Sequence, residues 1–215
     1  MTVKQSTVSG NAGGGLLLSS TQFDIENDFI FQNGNNISTA AGGFYVANPT
    51  AGSRFVFNTV VDNKATSNIA SAGGVFCDQA GFVAADNLIF RNTGGPSGNA
   101  QTFGSCTYGN SFVMAGSSTV DNSPGFVHPN TQPFDYHLTN LSPTTIVDAA
   151  GVCTGIDFDG DNRPIGNGCD LGADEFKRVW LFHDRARREE NRSLDEPQAG
   201  PRWRQRVRHV AVSVA

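Results

Sequence analysis

The amino-acid sequence predicts an all-β fold, a parallel β-helix in which short strands and turns wind into stacked coils. A unit of two glycines, an apolar run and a later apolar strand ending in asparagine recurs along the chain. The asparagines that close successive units lie 30, 29 and 30 residues apart, at Asn33, Asn63, Asn92 and Asn122. A period near 30 made of short strands and turns, without helical spacing of apolar residues, is typical of a β-solenoid.

The strand that ends each unit supports this prediction. Residues 28–33, 58–63, 87–92 and 117–122 are short, rich in β-branched and aromatic residues, and bounded by turn-forming residues. The fourth unit matches the repeat less well and starts at Gly104. Since coils stack at about 4.8 Å, equivalent residues should form rows along the solenoid.

Two sets of residues are expected to hold these coils together. Glycine permits positive φ at a corner, which predicts structural roles for Gly42, Gly43, Gly73 and Gly74. The closing asparagines tolerate left-handed corners, and their side-chain amides can hydrogen-bond from coil to coil. We expect the interior to be filled by Phe23, Phe31, Phe57, Phe82, Phe90 and Phe112.

Charge is distributed unevenly. Residues 1–176 hold five basic and fifteen acidic residues, a net charge of −10, whereas residues 177–215 hold ten basic and five acidic residues, or +5. An acidic body disfavours nucleic acid and polyanionic polysaccharides as partners. The chain has no apolar segment long enough to predict a transmembrane helix.

Composition predicts three regions: β-helix coils over 1–123, a closing coil and cap over 124–176, and a basic tail over 177–215. We expect residues 170–175 of the cap to cover the last coil, whose edge backbone groups would otherwise be exposed. Four prolines between 124 and 143 interrupt the repeat. The tail lacks a recognisable module, so we expect it to be disordered or partly helical. Its alternating arginine and tryptophan leave nucleic-acid or membrane-surface binding as the alternative.

The first residues lack the apolar run of a signal peptide. Residues 6–12 match the end of a repeat, so the chain starts in the middle of a coil. We therefore expect it to be the C-terminal portion of a longer secreted protein.

The region after Asn122 carries a distinctive series of motifs. It contains Asp135-Tyr136-His137-Leu138, Ser142-Pro143, Val147-Asp148-Ala149-Ala150-Gly151, Arg163-Pro164-Ile165-Gly166 and Cys169-Asp170-Leu171-Gly172-Ala173-Asp174-Glu175. This series resembles the C-terminal end of the bacterial choice-of-anchor Q domain proteins, which are right-handed parallel β-helices. The resemblance covers roughly residues 6–176 and implies an extracellular or cell-surface location. The chain departs from the family in a longer segment from Ser142 to Asp148 and in lacking an anchoring segment after Phe176.

The four cysteines lack Cys-x-x-Cys spacing, which disfavours zinc. The resemblance implies a disulfide between Cys153 and Cys169. Cys77 and Cys106 lie near equivalent places of consecutive coils, a spacing compatible with a second bridge. Both bridges require an oxidising compartment.

Asp157, Asp159 and Asp161 alternate with other residues as at the start of a calcium loop, although the rest of the EF-hand pattern is missing. An Asp/Gly turn held by Arg163 is the favoured interpretation and calcium the minority one; no other cofactor is expected. Asp135 and His137 alternate with apolar neighbours and are interpreted as structural.

The sequence carries none of the motifs of pectate-lyase-like or polygalacturonase-like β-helix enzymes. It therefore favours a non-catalytic, monomeric, adhesin-like scaffold whose flat faces contact glycans or proteins. The alternative is the C-terminal part of a polysaccharide lyase or hydrolase whose catalytic coils lie elsewhere.

Overall fold

A computed structural model of the 215-residue chain describes residues 1–66, 71–95, 101–115 and 123–177. The chain divides into a unit of Met1–Arg178 and a unit of Val179–Ala215, and the second unit lies outside the described residues. The predicted tail, apart from its first residue, and Asn122 therefore also lie outside them.

The described residues form fourteen short strands and no helix. In chain order the strands are β1 (Thr2–Lys4), β2 (Thr7–Ser9), β3 (Leu16–Ser19), β4 (Asp24–Glu26), β5 (Phe29–Phe31), β6 (Phe44–Ala47), β7 (Arg54–Val56), β8 (Thr59–Val61), β9 (Val75–Cys77), β10 (Val83–Ala85), β11 (Leu88–Phe90), β12 (Thr102–Gly104), β13 (Tyr108–Gly109) and β14 (Phe112–Val113).

These strands build three parallel sheets. Sheet 1 has the order β1-β4-β7-β10-β13, sheet 2 the order β2-β5-β8-β11-β14, and sheet 3 the order β3-β6-β9-β12. Each strand pairs with the strand three positions further along the chain, which is the topology of a coil that visits each sheet once per turn. The predicted parallel β-solenoid is confirmed.

All three sheets contribute to the solenoid interior. Because successive side chains of a strand point to opposite faces, one residue from the middle of most strands of sheets 1 and 2 faces inward. The interior cluster contains Ile25 and Phe55 from sheet 1, Ile30 and Val60 from sheet 2, and Phe44 from sheet 3. The rings of Phe44 and Phe55 stack in parallel, with centroids 4.5 Å apart.

A second core lies on the outer face of sheet 2. There the outward side chains Phe29, Val61, Leu88 and Phe90 pack against residues of the closing segment, 124–177. The closing segment contributes Phe126, Tyr136, Leu138, Ile146, Val147, Leu171 and Ala173. We expected this segment to cover the last coil. It lies along the outside of sheet 2 instead, with Phe158 against Phe29 of the second coil.

The expected phenylalanine interior is therefore divided between two cores and a smaller cluster. Phe23 and Phe82 pack in the solenoid interior as predicted. Phe31, Phe90 and Phe112 face outward from sheet 2 into the second core, because they occupy strand positions of the opposite parity to Ile30 and Ile89. Phe57 lies in the smaller cluster, beside Cys169 and Cys153.

The glycine pairs are required by the close approach of neighbouring coils. A Cβ on Gly42 would lie 2.3 Å from the carbonyl oxygen of Gly73, and one on Gly74 would lie 2.2 Å from that of Gln101. The prediction of positive φ at these corners was wrong, because the left-handed region contains none of Gly42, Gly43, Gly73 and Gly74. Their structural importance comes from the absence of a side chain.

The left-handed corners are occupied by other residue types. Gln32, Asp62 and Arg91 have φ of 55°, 55° and 54°, and each directly precedes a closing asparagine. A second set, Asn27, Phe57 and Asp86, has φ of 58°, 55° and 56°. Each such residue costs about 1–2 kcal/mol of backbone energy. Hydrogen bonds around each corner must offset this cost. They come from two rows of side chains, described next, that directly follow the corners.

The predicted amide ladder is present where the structure describes it. The Asn33 amide nitrogen donates to Asn63 Oδ1 (3.0 Å), and that of Asn63 donates to Asn92 Oδ1 (3.0 Å). Asn92 Nδ2 donates in turn to Gln101 Oε1 at 3.0 Å, so glutamine continues the row. These side chains are fully buried or nearly so, and the ladder satisfies polar groups that would otherwise be costly.

A second ladder, not foreseen from the sequence, runs through Asp28, Asn58 and Asn87. The Asp28 backbone N–H donates to Asn58 Oδ1 at 3.1 Å, and the Asn58 N–H donates to Asn87 Oδ1 at 2.9 Å. The side-chain nitrogens of Asn58 and Asn87 also donate to backbone carbonyls of the preceding coil. Asp28 has no such nitrogen, and its Oδ2 is buried without a hydrogen-bond partner among the described residues.

Candidate functional site

The outer face of sheet 3 carries a row of large apolar side chains, which we call the aromatic stripe: Leu17, Tyr45, Phe76 and Phe103. Strand register places these four residues opposite one another on β3, β6, β9 and β12. The Tyr45 and Phe76 rings have centroids 5.1 Å apart, and those of Phe76 and Phe103 are 5.3 Å apart. The solenoid therefore repeats one ring per coil along this face.

The stripe is accessible from solvent. Leu17 is 59% exposed and the three rings are half-buried, whereas their strand neighbours Leu18 and Val46 are buried in the interior. Isolated exposed apolar residues are common on proteins, whereas a contiguous row of partly accessible apolar side chains is a candidate interaction surface. The alternation of side chains along β-strands thus places these rings on the outward-facing side of sheet 3, where neighbouring rings meet edge to face.

Polar groups border the stripe on one side. Ser19, Asp78 and Ser105 are exposed and lie two residues beyond Leu17, Phe76 and Phe103, at or directly after the ends of β3, β9 and β12. The Tyr45 hydroxyl adds a hydrogen-bonding group within the stripe, since tyrosine combines an apolar ring with a polar end. Apolar rings flanked by hydroxyl and carboxylate groups suit a ligand with one apolar face and polar edges.

Sheet 1 presents a different surface. Lys4 Nζ lies 2.6 Å from Asp24 and 2.7 Å from Glu26, and Arg54 lies 3.2 Å from Asp24. Hydrogen bonds to Asp24 and Glu26 raise the pKa of Lys4. These ion pairs link the first three coils, and the basic side chains offset the negative charges of Asp24 and Glu26.

A cleft of about 290 Å³, the aromatic groove, lies between sheet 2 and the closing segment. Its walls are mainly aromatic, and it is lined by Thr7, Phe29, Phe31, His128, Pro133, Phe134, Asp135, Tyr136, His137 and Phe158. His137 Nδ1 lies 2.6 Å from Asp135 Oδ1. Burial opposes protonation of this imidazole, but the hydrogen bond to Asp135 and the nearby carboxylates outweigh it and raise the pKa of His137. Sequence reasoning predicted only structural roles for both residues.

Arg91 ties the closing segment to sheet 2. Its guanidinium donates to both carboxylate oxygens of Asp62, to Asn130 Oδ1 at 2.7 Å and to the Pro129 carbonyl at 2.7 Å. Tyr136 donates its hydroxyl to Asp62 Oδ2 at 2.7 Å. Burial is the main cause of a raised Tyr136 pKa, which keeps this hydroxyl a donor. The cluster serves attachment of the segment.

The structure gives the three carboxylates of the predicted calcium loop different partners, and the Arg163 guanidinium, expected to hold this turn, donates to Glu175 and to the carbonyls of Asp170 and Gly172 instead. Both Asp157 oxygens accept backbone hydrogen bonds, from Asp161 at 2.8 Å and from Glu175 at 3.0 Å. Asp159 lies 3.5 Å from His137 Nε2, and Asp161 pairs with Lys177. Calcium binding by Asp157, Asp159 and Asp161 stays a prediction, while the favoured Asp/Gly turn agrees with these contacts.

Arg163 and Glu175 form a buried ion pair inside the closing segment. Arg163 Nη1 lies 2.6 Å from Glu175 Oε1, and each side chain is 1% exposed. The guanidinium also lies 4.6 Å from the centre of the Phe57 ring. Glu175 accepts backbone hydrogen bonds from Asp170 and Ile165. The motif residues that carry the family resemblance therefore fix the closing segment.

Two other acids of this segment are also buried. Asp170 accepts the backbone N–H groups of Asp148 and Phe176, and Asp174 accepts that of Leu138. Burial raises the pKa of Asp170 to about 7 and that of Asp174 to about 6 in spite of these hydrogen bonds.

Both predicted cysteine pairs are present as disulfides. Cys77–Cys106 links neighbouring coils with a Cα–Cα distance of 5.7 Å, and Cys153–Cys169 closes the Arg-Pro loop at 6.3 Å. Disulfides form and persist in oxidising compartments, so they indicate an extracellular environment.

Comparisons with known proteins leave the family open. No family model, curated protein or solved structure matches the chain. Within the described part of the chain, no helix has the length and apolarity needed to cross a membrane.

Proposed function

We propose that the protein is a non-catalytic extracellular or cell-surface scaffold that binds a neutral polysaccharide along the aromatic stripe of sheet 3. The observation that carries the proposal is the row of half-buried rings of Tyr45, Phe76 and Phe103 on the outer face of sheet 3, which meet edge to face with ring centres 5.1 and 5.3 Å apart. An adhesin-like role for a member of the choice-of-anchor Q family agrees with this surface.

The geometry of the stripe suits an extended sugar chain. One ring per coil gives a repeat of about 4.8 Å, close to the length of one pyranose ring. The C–H face of a pyranose packs on aromatic rings, while its hydroxyls reach toward polar groups at the edge. Here those groups are the Tyr45 hydroxyl and the exposed Ser19, Asp78 and Ser105.

The charge of the protein favours a neutral ligand. Residues 1–176 carry a net charge of −10, which repels uronate or sulfated chains. The stripe itself contains no basic side chain, and Asp78 is the charged residue beside it. A protein partner could also cover an apolar strip, but the regular one-ring repeat matches a polymer of identical units.

The test is binding of the full-length oxidised chain to insoluble neutral polysaccharides: cellulose, chitin, mannan and β-1,3-glucan. We expect at least one to retain the protein. Phe76→Ala should then weaken retention by about fivefold or more, if a sugar ring gains on one aromatic side chain what a nucleobase does, roughly 1–3 kcal/mol. Ile37→Ala is the control, because Ile37 is 89% exposed and lies in the loop between β5 and β6, outside the stripe.

The same assay should count new reducing ends. Absence of retention on every polymer, or equal retention of the wild type and Phe76→Ala, would contradict the proposal. Release of chain ends that is abolished in Asp135→Asn would favour the carbohydrate-active enzyme and move the site to the aromatic groove.

A further inference from the structure

Three side chains from separate parts of the closing segment meet beside the aromatic groove. His137, Asp159 and Asp174 each bring one nitrogen or carboxylate oxygen to within 4.8 Å of the others. His137 Nε2 lies 3.5 Å from Asp159 Oδ2. None of these residues is close to another in sequence, so the fold is what assembles the group.

The histidine is oriented as a ligand would be. Asp135 holds its Nδ1 at 2.6 Å, which directs Nε2 toward the two carboxylates. Nε2 is shielded from solvent and has no hydrogen-bond partner among the described residues. A carboxylate that fixes one imidazole nitrogen while the other stays available is the usual arrangement behind a metal-binding histidine.

The distance between His137 Nε2 and Asp159 Oδ2 fits a small divalent cation. Two ligand atoms that bind zinc tetrahedrally at about 2.0–2.1 Å are about 3.4 Å apart. The 3.5 Å between His137 Nε2 and Asp159 Oδ2 agrees with that value and is too long for a strong hydrogen bond.

We propose that His137, Asp159 and Asp174 bind a divalent transition-metal cation, for which Zn²⁺ is the probe. One imidazole nitrogen with two carboxylate oxygens is a ligand set that zinc accepts, whereas calcium requires six to eight oxygens. Asp174 is buried and also accepts the Leu138 N–H at 2.7 Å, which orients its carboxylate. Asp159 is 49% exposed and gives the ion a path from solvent.

This site differs from the calcium loop predicted from the sequence, with which it shares only Asp159. It also does not depend on polysaccharide binding by the aromatic stripe, which lies on another sheet. Both proposals can therefore be tested separately on the same protein.

The experiment is calorimetric titration of ZnCl₂ into the full-length, oxidised, chelator-treated chain. We expect one site per chain that Asp159→Asn weakens by about tenfold or more. Asp161→Asn is the matched control, because it removes a carboxylate from the same loop and should leave the affinity unchanged. Equal melting temperatures of the metal-free wild type and Asp159→Asn would show that the variant folds.

Asp135→Asn tests the positioning role. It keeps all three ligands but removes the carboxylate on His137 Nδ1, and it should weaken zinc binding by about tenfold to a hundredfold. A double variant, His183→Gln with His209→Gln, should retain the site, because it changes only the tail histidines.

Three results would overturn the proposal: no zinc binding by the wild type, unchanged affinity in Asp159→Asn, or loss in the tail double variant. Calcium binding lost in both Asp159→Asn and Asp161→Asn, without zinc binding, would instead support the loop predicted from the sequence.

Discussion

The outer faces of sheets 2 and 3 make the most informative comparison in the molecule. Both present a row of large apolar side chains, one per coil. On sheet 2 the row is covered by the closing segment, and Phe90 is fully buried. On sheet 3 the rings of Tyr45, Phe76 and Phe103 stay half-exposed among the described residues.

The difference shows that the same repeat leaves one row of side chains packed under the closing segment and the other partly accessible to solvent. Burying an aromatic or aliphatic side chain contributes about 1.5–3 kcal/mol each, so the covered row of sheet 2 stabilises the fold. The row on sheet 3 keeps apolar surface in water, which no stability argument requires. We propose that a ligand covers this surface, and this is the reason for placing the proposed binding site on sheet 3.

The largest expected effect comes from detaching the cover of sheet 2. Glu175→Gln leaves Arg163 buried without its counter-charge and should lower the free energy of unfolding by about 3–5 kcal/mol. Urea unfolding followed by circular dichroism measures this change. Asp161→Asn, which removes a partly exposed partner of Lys177, should leave the midpoint unchanged. Equal effects of the two substitutions would show that the segment does not stabilise sheet 2.

A matched pair of ring deletions compares the two faces directly. Phe90→Ala should cost about 3–5 kcal/mol because it leaves a cavity in the second core. Phe76→Ala should cost about 1 kcal/mol, since it removes a half-exposed ring with two edge contacts. Urea midpoints of the two variants measure the difference. A cost for Phe76→Ala as large as that for Phe90→Ala would mean that sheet 3 is also covered.

A smaller effect on stability is expected from a substitution at a corner of the coils, away from the outer faces of sheets 2 and 3. Asp28 occupies an asparagine position of the second ladder, with Oδ2 buried and unpartnered among the described residues. At the equivalent position of the next coil, the side-chain nitrogen of Asn58 donates to the Ile25 carbonyl. Asp28→Asn gives residue 28 the same kind of nitrogen donor. Filling this missing hydrogen bond should stabilise the protein by about 1–3 kcal/mol at pH 8.

The gain should depend on pH in a defined direction. Burial raises the pKa of Asp28 to about 7, above its unfolded value near 4. Between these values the folded state holds a proton that the unfolded state has lost, so wild-type stability falls as pH rises. The advantage of Asp28→Asn should therefore shrink from pH 8 to pH 5. Thermal melts across this range measure it, and a constant or growing difference would contradict the assignment.

Periodicity was sufficient to predict the solenoid and the ladder of Asn33, Asn63 and Asn92, because stacked coils repeat the same residue type. The next residue of the ladder, Gln101, was not predicted. The fourth unit was expected to start at Gly104, whereas the structure pairs Thr102-Phe103-Gly104 with Val75-Phe76-Cys77. The signal for Asp28 was present in its alignment with Asn58 and Asn87.

Other features could not come from the repeat. The closing segment lies outside the period, so the sequence did not show that it covers sheet 2 rather than the end of the coils. The contact between His137 and Asp159 joins residues from two segments without regular secondary structure. No local sequence pattern predicts that these two segments lie side by side. Leu17, Tyr45 and Phe76 of the aromatic stripe were visible as a column in the repeat, but Phe103 was not, because it precedes the predicted start of the fourth unit at Gly104. The outward direction of the column depends on strand parity.

The most direct test of the binding face is hydroxyl-radical footprinting of the full-length chain with and without the polysaccharide that retains it. The account predicts reduced oxidation at Tyr45, Phe76 and Phe103 on binding, with Phe31, Phe134 and Phe158 of the aromatic groove unchanged. Protection of the groove residues with no change along sheet 3 would contradict it.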